Sequence, residues 1–231
     1  MNNQNNIKLT ILVPTVPSRI DYFYPKIMKE LLKQIKKYDD IELISYFDNK
    51  KRTIGKKRDE MLGLVQGEYV VFIDDDDRID NEYVDSIMNA LYENSSCDCV
   101  VFDTICVVNG GYPKLCKYGI EFEYGDILDG KEWRGKPAHT MVYKSSIAKK
   151  HNYSNMGTGE DYDWVLRAYK DIINQVRIDK VLYYYDANYY KTSETTGLSN
   201  EVIENNIKIL LENENNNNNN ENNNENNNNL L

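Results

Sequence analysis

The feature that most constrains the fold is a strand and helix pattern that alternates three times within the first hundred residues. "KLTILVP", Lys8 to Pro14, is a short apolar run closed by proline, which suits a buried strand better than a helix. Apolar residues then recur every three or four positions at Ile20, Phe23, Ile27, Leu31, Ile35 and Tyr38, the pattern of an amphipathic helix. "IELISYF", Ile41 to Phe47, reads as a second strand ending at Asp48, and Lys56 to Gln66 as a helix stopped by Gly67. A third strand lies in "GEYVVFIDDDDRID", Gly67 to Asp80, and runs straight into four aspartates. A helix over Glu82 to Glu93 follows, with Tyr83, Val84, Ile87, Met88 and Leu91 on one face, and then a strand over Cys99 to Val108. Such alternation predicts an α/β domain with an open, mostly parallel sheet and helices on both faces. Beyond residue 110 the periodicity weakens, so shorter mixed strands and loops are expected, with one clear helix near "TGEDYDWVLRAYK".

Composition bounds the domain and its partners. Every residue from Asn213 to Asn229 is Asn or Glu, a run without apolar surface to offset its ordering entropy, so 213–231 reads as a disordered tail and 1–6 as a frayed start. The remainder suffices for a single core. A net charge of −9 argues against a general nucleic-acid binder. Cys97, Cys99, Cys106 and Cys116 include no CxxC pair and the chain has two histidines, so a zinc site is not expected; reduced structural thiols in a cytosol-like compartment are. With no long apolar segment and no signal-peptide pattern, the expectation is a cytoplasmic or other soluble intracellular protein.

In an open parallel sheet, ligands sit outside the carboxyl ends of the strands. Three such ends carry suitable polar residues: Thr15, Asp48, and Asp74 to Asp77. Adjacent carboxylates raise one another's pKa unless something positive neutralises them, and a hard divalent cation, Mg2+ or Mn2+, does so through oxygen ligands while keeping positions open for phosphate oxygens. An EF-hand fails, because counting from Asp74 puts Arg78 at the fifth position and Ile79 where glycine is required. The blander alternative is a solvated acidic turn capping the next helix.

"NKKRTIGKKR", Asn49 to Arg58, holds six basic residues in ten; they suit a diphosphate, and for most of them a solvated loop is the simpler reading. "MGTGEDYDW" puts Glu160 and Asp161 in the first turn of a helix, with Thr158 three before Asp161 as in a capping box. Capping and the helix dipole favour acids there, and so does the role of general base toward a hydroxyl; chemistry alone leaves the two equal. Trp133, Trp164 and His139 are each read first as structural anchors, with sugar stacking or phosphate contact as the functional alternative. "YYYDANYY", Tyr183 to Tyr190, reads as an aromatic strand and turn.

At these residues the chain resembles the family two glycosyltransferases of the GT-A fold. "IGKKRDEMLGLVQGEYVVFIDDDDRID" is similar to that family's central signature, in which a Lys-Arg-Asn helix precedes Gly-Glu-Tyr, an apolar strand and the DxD acids. "TILVPTVPSR" resembles the first strand and its nucleotide-contacting loop, and "GEDYDWVLRA" the segment carrying the base. The resemblance spans about residues 7 to 200 and implies a single Rossmann-like GT-A domain with a nucleotide-sugar half at 7–110 and an acceptor half at 111–212. It further implies that Pro14, Thr15 and Asp48 contact the nucleoside, and that Arg58 approaches it or the diphosphate. Asp74 and Asp75 lie on the donor, Asp76 holds the metal, and Asp161 is the base with Glu160 beside it. The implied reaction moves a hexosyl or N-acetylhexosaminyl group from a nucleoside diphosphate-sugar, expected to be a UDP-sugar, to a glycan, protein or lipid hydroxyl with inversion and without a covalent nucleophile. The chain departs from the pattern at Asp59, where the family has Asn, and in having no histidine after the base; any extra metal contact would come from water or the region of Asp186. Four aspartates also leave the register open by one, with Asp75 and Asp77 as substitutes.

Two other readings stand beside this one. A nucleotidyltransferase would want a glycine-rich phosphate loop after the first strand, and "VPTVPSRI" has no glycine. A catalytically silent sugar-nucleotide binder or scaffold would be favoured by loss of the base, yet Glu160 and Asp161 are both present.

Overall fold

The computed structural model describes residues 6–108, 110–128 and 130–187. The Asn- and Glu-only tail, residues 188–212 of the expected acceptor half, and all but the last residue of the expected frayed start lie outside the described residues. In chain order the elements are β1 (Leu9–Thr15), α1 (Phe23–Ile35), β2 (Ile41–Phe47), α2 (Ile54–Leu64), β3 (Tyr69–Phe72), β4 (Arg78–Ile79), α3 (Tyr83–Glu93) and β5 (Cys99–Val108). There follow β6 (Lys114–Tyr118), β7 (Gly125–Ile127), β8 (Glu132–Gly135), β9 (Val142–Lys144), α4 (Ser145–Ala148), α5 (Glu160–Ala168) and β10 (Gln175–Ala187).

The strands β2 and β5 begin and end where the sequence pattern sets them. The first helix does not: it starts at Phe23 rather than Ile20, and Pro17–Arg19 forms a short 3-10 turn. Pro25 explains the shift. A proline lacks the N–H that a helix interior needs and is tolerated in the first turn, so a helix containing Pro25 cannot begin much before Phe23.

Pairing is parallel between β1 and β2, β1 and β3, and β5 and β10. The short β9 lies between β3 and β5 and is antiparallel to both, so β2, β1, β3, β5 and β10 all run the same way. On the same edge of β5, beyond β9, β6 begins a smaller mixed extension through β8 to β7, while β4 closes the far side against β10. β1 and β3 are buried at every position, as expected for strands covered on both faces. α1 and α3 pack together on one face, with Tyr83 of α3 edge-on to Phe102 of β5. α2, α4 and α5 cover the other, where Trp164 of α5 stacks on Tyr153 at 5.0 Å and meets Tyr143 edge-on. Trp164 is therefore a core residue, whereas Trp133 of β8 is half-buried against Tyr118 and Tyr124. No disulfide links the four cysteines.

The shared strand direction places the ends of β1, β2 and β3 on one edge of the sheet. Thr15, Asp48 and Asp74 arrive there together, and the starts of α2 and α5 face them.

Candidate active site

At the end of β1, Pro14 and Thr15 line a cavity of about 500 Å³ together with Asp74, Asp76, Arg19, Arg52 and Arg58. Asp48 and Lys57 form a buried ion pair at 2.5 Å, and the same ammonium donates to the Thr15 carbonyl at 2.7 Å. Lys57 thus ties the end of β2 to the end of β1. Asp48 also accepts the Arg52 backbone N–H. Burial pushes the Asp48 carboxyl up, but Lys57 and the backbone donors hold it below its usual value.

The four aspartates are held by different sets of partners, with Arg19 shared by Asp75 and Asp76. Asp74 accepts from Arg58 Nη2 at 2.6 Å and lies 3.4 Å from His139 Nε2. Its burial is outweighed by Arg58 and His139, so it stays ionised well below the ordinary carboxyl range. Asp75 is buried, accepting from the Thr15 hydroxyl and from Arg19 Nη1 at 2.6 Å. Asp76 faces Arg19, with Nη1 at 3.1 Å and Nη2 at 2.7 Å. Asp77 accepts from the Tyr183 hydroxyl at 2.6 Å, and that hydroxyl in turn accepts the Asp74 N–H. Burial, reinforced by Asp74 and Asp75 and only partly offset by Arg19, pushes Asp76 up to about 7. Burial and the charges of Asp76 and Asp74 raise Asp77 well above its usual value.

The start of α5 completes the site. Arg58 spans Asp74 and Glu160, the latter at 2.7 Å from Nη1. Glu160 is buried in that pair, whereas the Asp161 carboxylate is more than a third exposed and lies 3.4 Å from His139 Nδ1. One imidazole therefore stands between Asp74 at the strand end and Asp161 at the helix start. The expected Thr158 capping box does not form. Gly159, at φ +79°, takes the N-cap position, and the Thr158 hydroxyl donates to the Gly157 carbonyl instead. Thr53 is the capping residue of α2, accepting the Lys56 N–H at 3.1 Å. Asp59, at the position of the resembling family's Asn, accepts the Tyr153 N–H at 3.2 Å, so the contact from that helix is made by a carboxylate.

The structure thus brings Thr15, Arg58, Asp74 and Asp76 to one cavity, with Asp161 joined to Asp74 through His139. Asp48, Asp75 and Glu160 lie behind it, in buried bonds to Lys57, Thr15 with Arg19, and Arg58. Sequence reasoning gave Lys57 to a solvated loop, His139 to the framework, and no role to Arg19 or Tyr183. No local signal separates Lys57 from the neighbouring lysines, since adjacent helix positions point in different directions; the others depend on contacts between residues far apart in the chain.

Among the described residues no three His, Cys, Asp or Glu side chains are arranged to hold an ion by themselves. The carboxylates Asp48, Asp74 to Asp77, Glu160 and Asp161 nevertheless outnumber Arg19, Lys57 and Arg58, and burial together with Asp74 and Asp75 raises Asp76 despite the Arg19 guanidinium beside it. The donor set fits a hard cation held by Asp76 with most of its oxygens supplied by a bound diphosphate, and does not fit an all-protein cage. Asp186 lines a smaller cavity on the other side of Asp76, with neither carboxylate oxygen hydrogen-bonded.

Comparison with curated protein sequences gives no significant match. Among solved structures the chain is similar to residues 1–349 of S. aureus TarS, with TM-score 0.55 and 18% identity over 78% of this chain and 60% of that one. The same protein in complex with UDP-GlcNAc gives TM-score 0.57 and 19% identity over 88% and 65%. The complex with UDP gives 0.54 and 19% over 79% and 60%. The chain spans 60% to 65% of the length of these TarS chains, and at such identity the likeness establishes the fold, which is GT-A. The sequence itself matches the profile described as Glycosyl transferase family 2 over residues 24–151. That stretch is more than half of the chain and takes in α2, the aspartate run and His139. On that match the chain belongs to glycosyl transferase family 2.

Proposed function

We propose that this chain transfers a sugar from a nucleoside diphosphate-sugar, a UDP-sugar, to a hydroxyl acceptor in a single inverting displacement. The observation that carries the reading is the opposition of Asp161 and Asp74 across His139, at 3.4 Å on each side. It sets an exposed carboxylate at a helix start against the strand-end acids of the donor cavity.

In this mechanism Pro14 and Thr15 form the nucleoside wall, and Asp48 stands behind it, fixing Lys57, which lines the same cavity. Arg58, locked between Asp74 and Glu160, holds the two sides of the site at a set distance. Asp161 takes the proton of the acceptor hydroxyl as its oxygen attacks the anomeric carbon from the face opposite the diphosphate; the C–O bond to the diphosphate breaks and its electron pair leaves on the phosphate oxygen. His139, 3.4 Å from its carboxylate, orients Asp161. Mn2+ or Mg2+ on Asp76 would neutralise the charge of the departing diphosphate. TarS, similar in fold, has been solved with UDP-GlcNAc and with UDP, which supports a donor of this class. The hexosyl or N-acetylhexosaminyl identity and a glycan, protein or lipid acceptor follow the family resemblance.

The test is nucleotide release from a panel of sugar nucleotides with Mn2+, Mg2+ or chelator. Release is expected from one donor and only with a cation. Asp161→Asn is expected to lower transfer by ~10²–10⁴-fold, the usual scale of general-base catalysis, while UDP binding by calorimetry stays within about twofold. Loss of UDP binding in that variant would make Asp161 a structural residue; donor binding without turnover in the wild type would favour a silent binder.

A further inference from the structure

Arg19 precedes the family match and sits on the three-residue turn Pro17–Arg19. Its guanidinium nonetheless reaches the strand-end acids: Nη1 lies 2.6 Å from Asp75 Oδ1 and 3.1 Å from Asp76 Oδ1, and Nη2 lies 2.7 Å from Asp76 Oδ2. Both oxygens of Asp76 are thus covered by one planar cation. These are the oxygens that a divalent ion on Asp76 would use, and the two occupants exclude each other. Arg58 differs in kind. It is buried on a helix between two acids, whereas Arg19 is partly exposed on a turn and lines the donor-side cavity.

The geometry points to Arg19 as a displaceable counter-ion: without donor its guanidinium stands in the cation's place on Asp76, and when cation and diphosphate arrive it keeps Asp75 and swings to the diphosphate oxygens. The inference rests on the donor and cation reading above. Its physical basis is that a guanidinium fork matches a carboxylate and a phosphate equally well, so the arginine changes partner without losing paired hydrogen bonds. Positive charge beside Asp76 is maintained in both states. The exchange also makes cation and nucleotide binding interdependent, because the ion must evict Arg19 from Asp76 and the diphosphate gives Arg19 somewhere to go. By linkage each ligand then raises the other's affinity by the same factor.

The experiment measures Mn2+ affinity by electron paramagnetic resonance of the free ion, with and without UDP, in the full chain and in Arg19→Met and Arg19→Lys. In the wild type UDP is expected to tighten Mn2+ binding by about tenfold or more, within the usual range of coupling between sites. Arg19→Met removes the competitor, so nucleotide-free Mn2+ binding should tighten by about tenfold while UDP binding weakens and the coupling shrinks. Arg19→Lys, which keeps the charge and loses the fork, should fall between. Nucleotide-free affinity that is unchanged or weaker in Arg19→Met, with Mn2+ and UDP still binding the wild type, overturns the counter-ion role alone. Absence of Mn2+ binding to the wild type with UDP overturns the cation reading and this inference with it. If Arg19→Met does not fold, wild-type Mn2+ affinity independent of UDP is the result that rejects the exchange.

Discussion

Lys57 is among the largest fully buried side chains of the described structure, and among the described residues its anionic partner is Asp48. Removing one member of such a pair strands the other in a low-dielectric site, which costs more than the pair contributes when intact. Lys57→Met is therefore expected to destabilise the fold by about 3–5 kcal/mol in urea unfolding. Adding Asp48→Leu to that variant should return much of the loss, and a double variant no better than the single one would show that Lys57 acts through the Thr15 carbonyl instead. The same pair shows what could be read from sequence at this scale. Asp48 was legible because a polar residue ending a parallel strand faces the ligand edge. Lys57 was not, because nothing in a run of six basic residues marks which one is turned inward. His139 and Arg19 were hidden for a related reason: their partners lie 65 and 56 positions away, beyond the reach of any local pattern.

At the scale of elements, α2 and the loop before α5 approach closely enough that Gly55 has no room for a side chain. A Cβ there would lie 1.9 Å from the Ser154 carbonyl oxygen and 3.0 Å from the Glu160 Cβ. This contact is what lets Arg58, one turn further along α2, reach Glu160. Gly63 on the same helix is exposed and has nothing within 4 Å of an added Cβ. Gly55→Ala should therefore destabilise by about 1–3 kcal/mol through overpacking and lower turnover. Gly63→Ala should stabilise by roughly 0.5–1 kcal/mol from the lower conformational cost of alanine in a helix. Equal effects of the two on the urea midpoint would refute the packing role of Gly55. Strands and helices that carry their own periodicity, such as β2, β5 and α3, were legible to within a residue. Those whose ends depend on one residue's backbone, Pro25 in α1 and Gly159 before α5, were displaced from the pattern. In β10 the register shifts between Ile178 and Val181 and between Val181 and Tyr183, which breaks the alternation and left only its tyrosine-rich end visible.

For the whole molecule, the parallel strands β2, β1 and β3 gather carboxylates faster than the fold supplies cations, and this shapes its pH response. Burial raises Asp75, Asp76, Asp77 and Glu160 above their usual values, Asp76 to about 7. A carboxyl raised in this way holds its proton longer in the folded than in the unfolded chain, so stability falls as pH climbs from about 4 through 7. Asp48 and Asp74, held low, act in the opposite sense, as pH falls below about 4. Without cation the melting temperature should therefore drop between about pH 5 and pH 8, and Asp76→Asn should flatten that slope; a wild-type midpoint rising over the same interval would contradict the charge imbalance. The aspartate run has a further consequence for how the sequence itself can change. Four identical letters look like a stretch that can lose one without harm. Here they are four distinct positions, addressed by α2, the Pro17–Arg19 turn and β10. Deleting a single aspartate would leave a "DDD" motif fully readable in the text and pass each later carboxylate to its predecessor's partner, so the spelling would survive while the site did not.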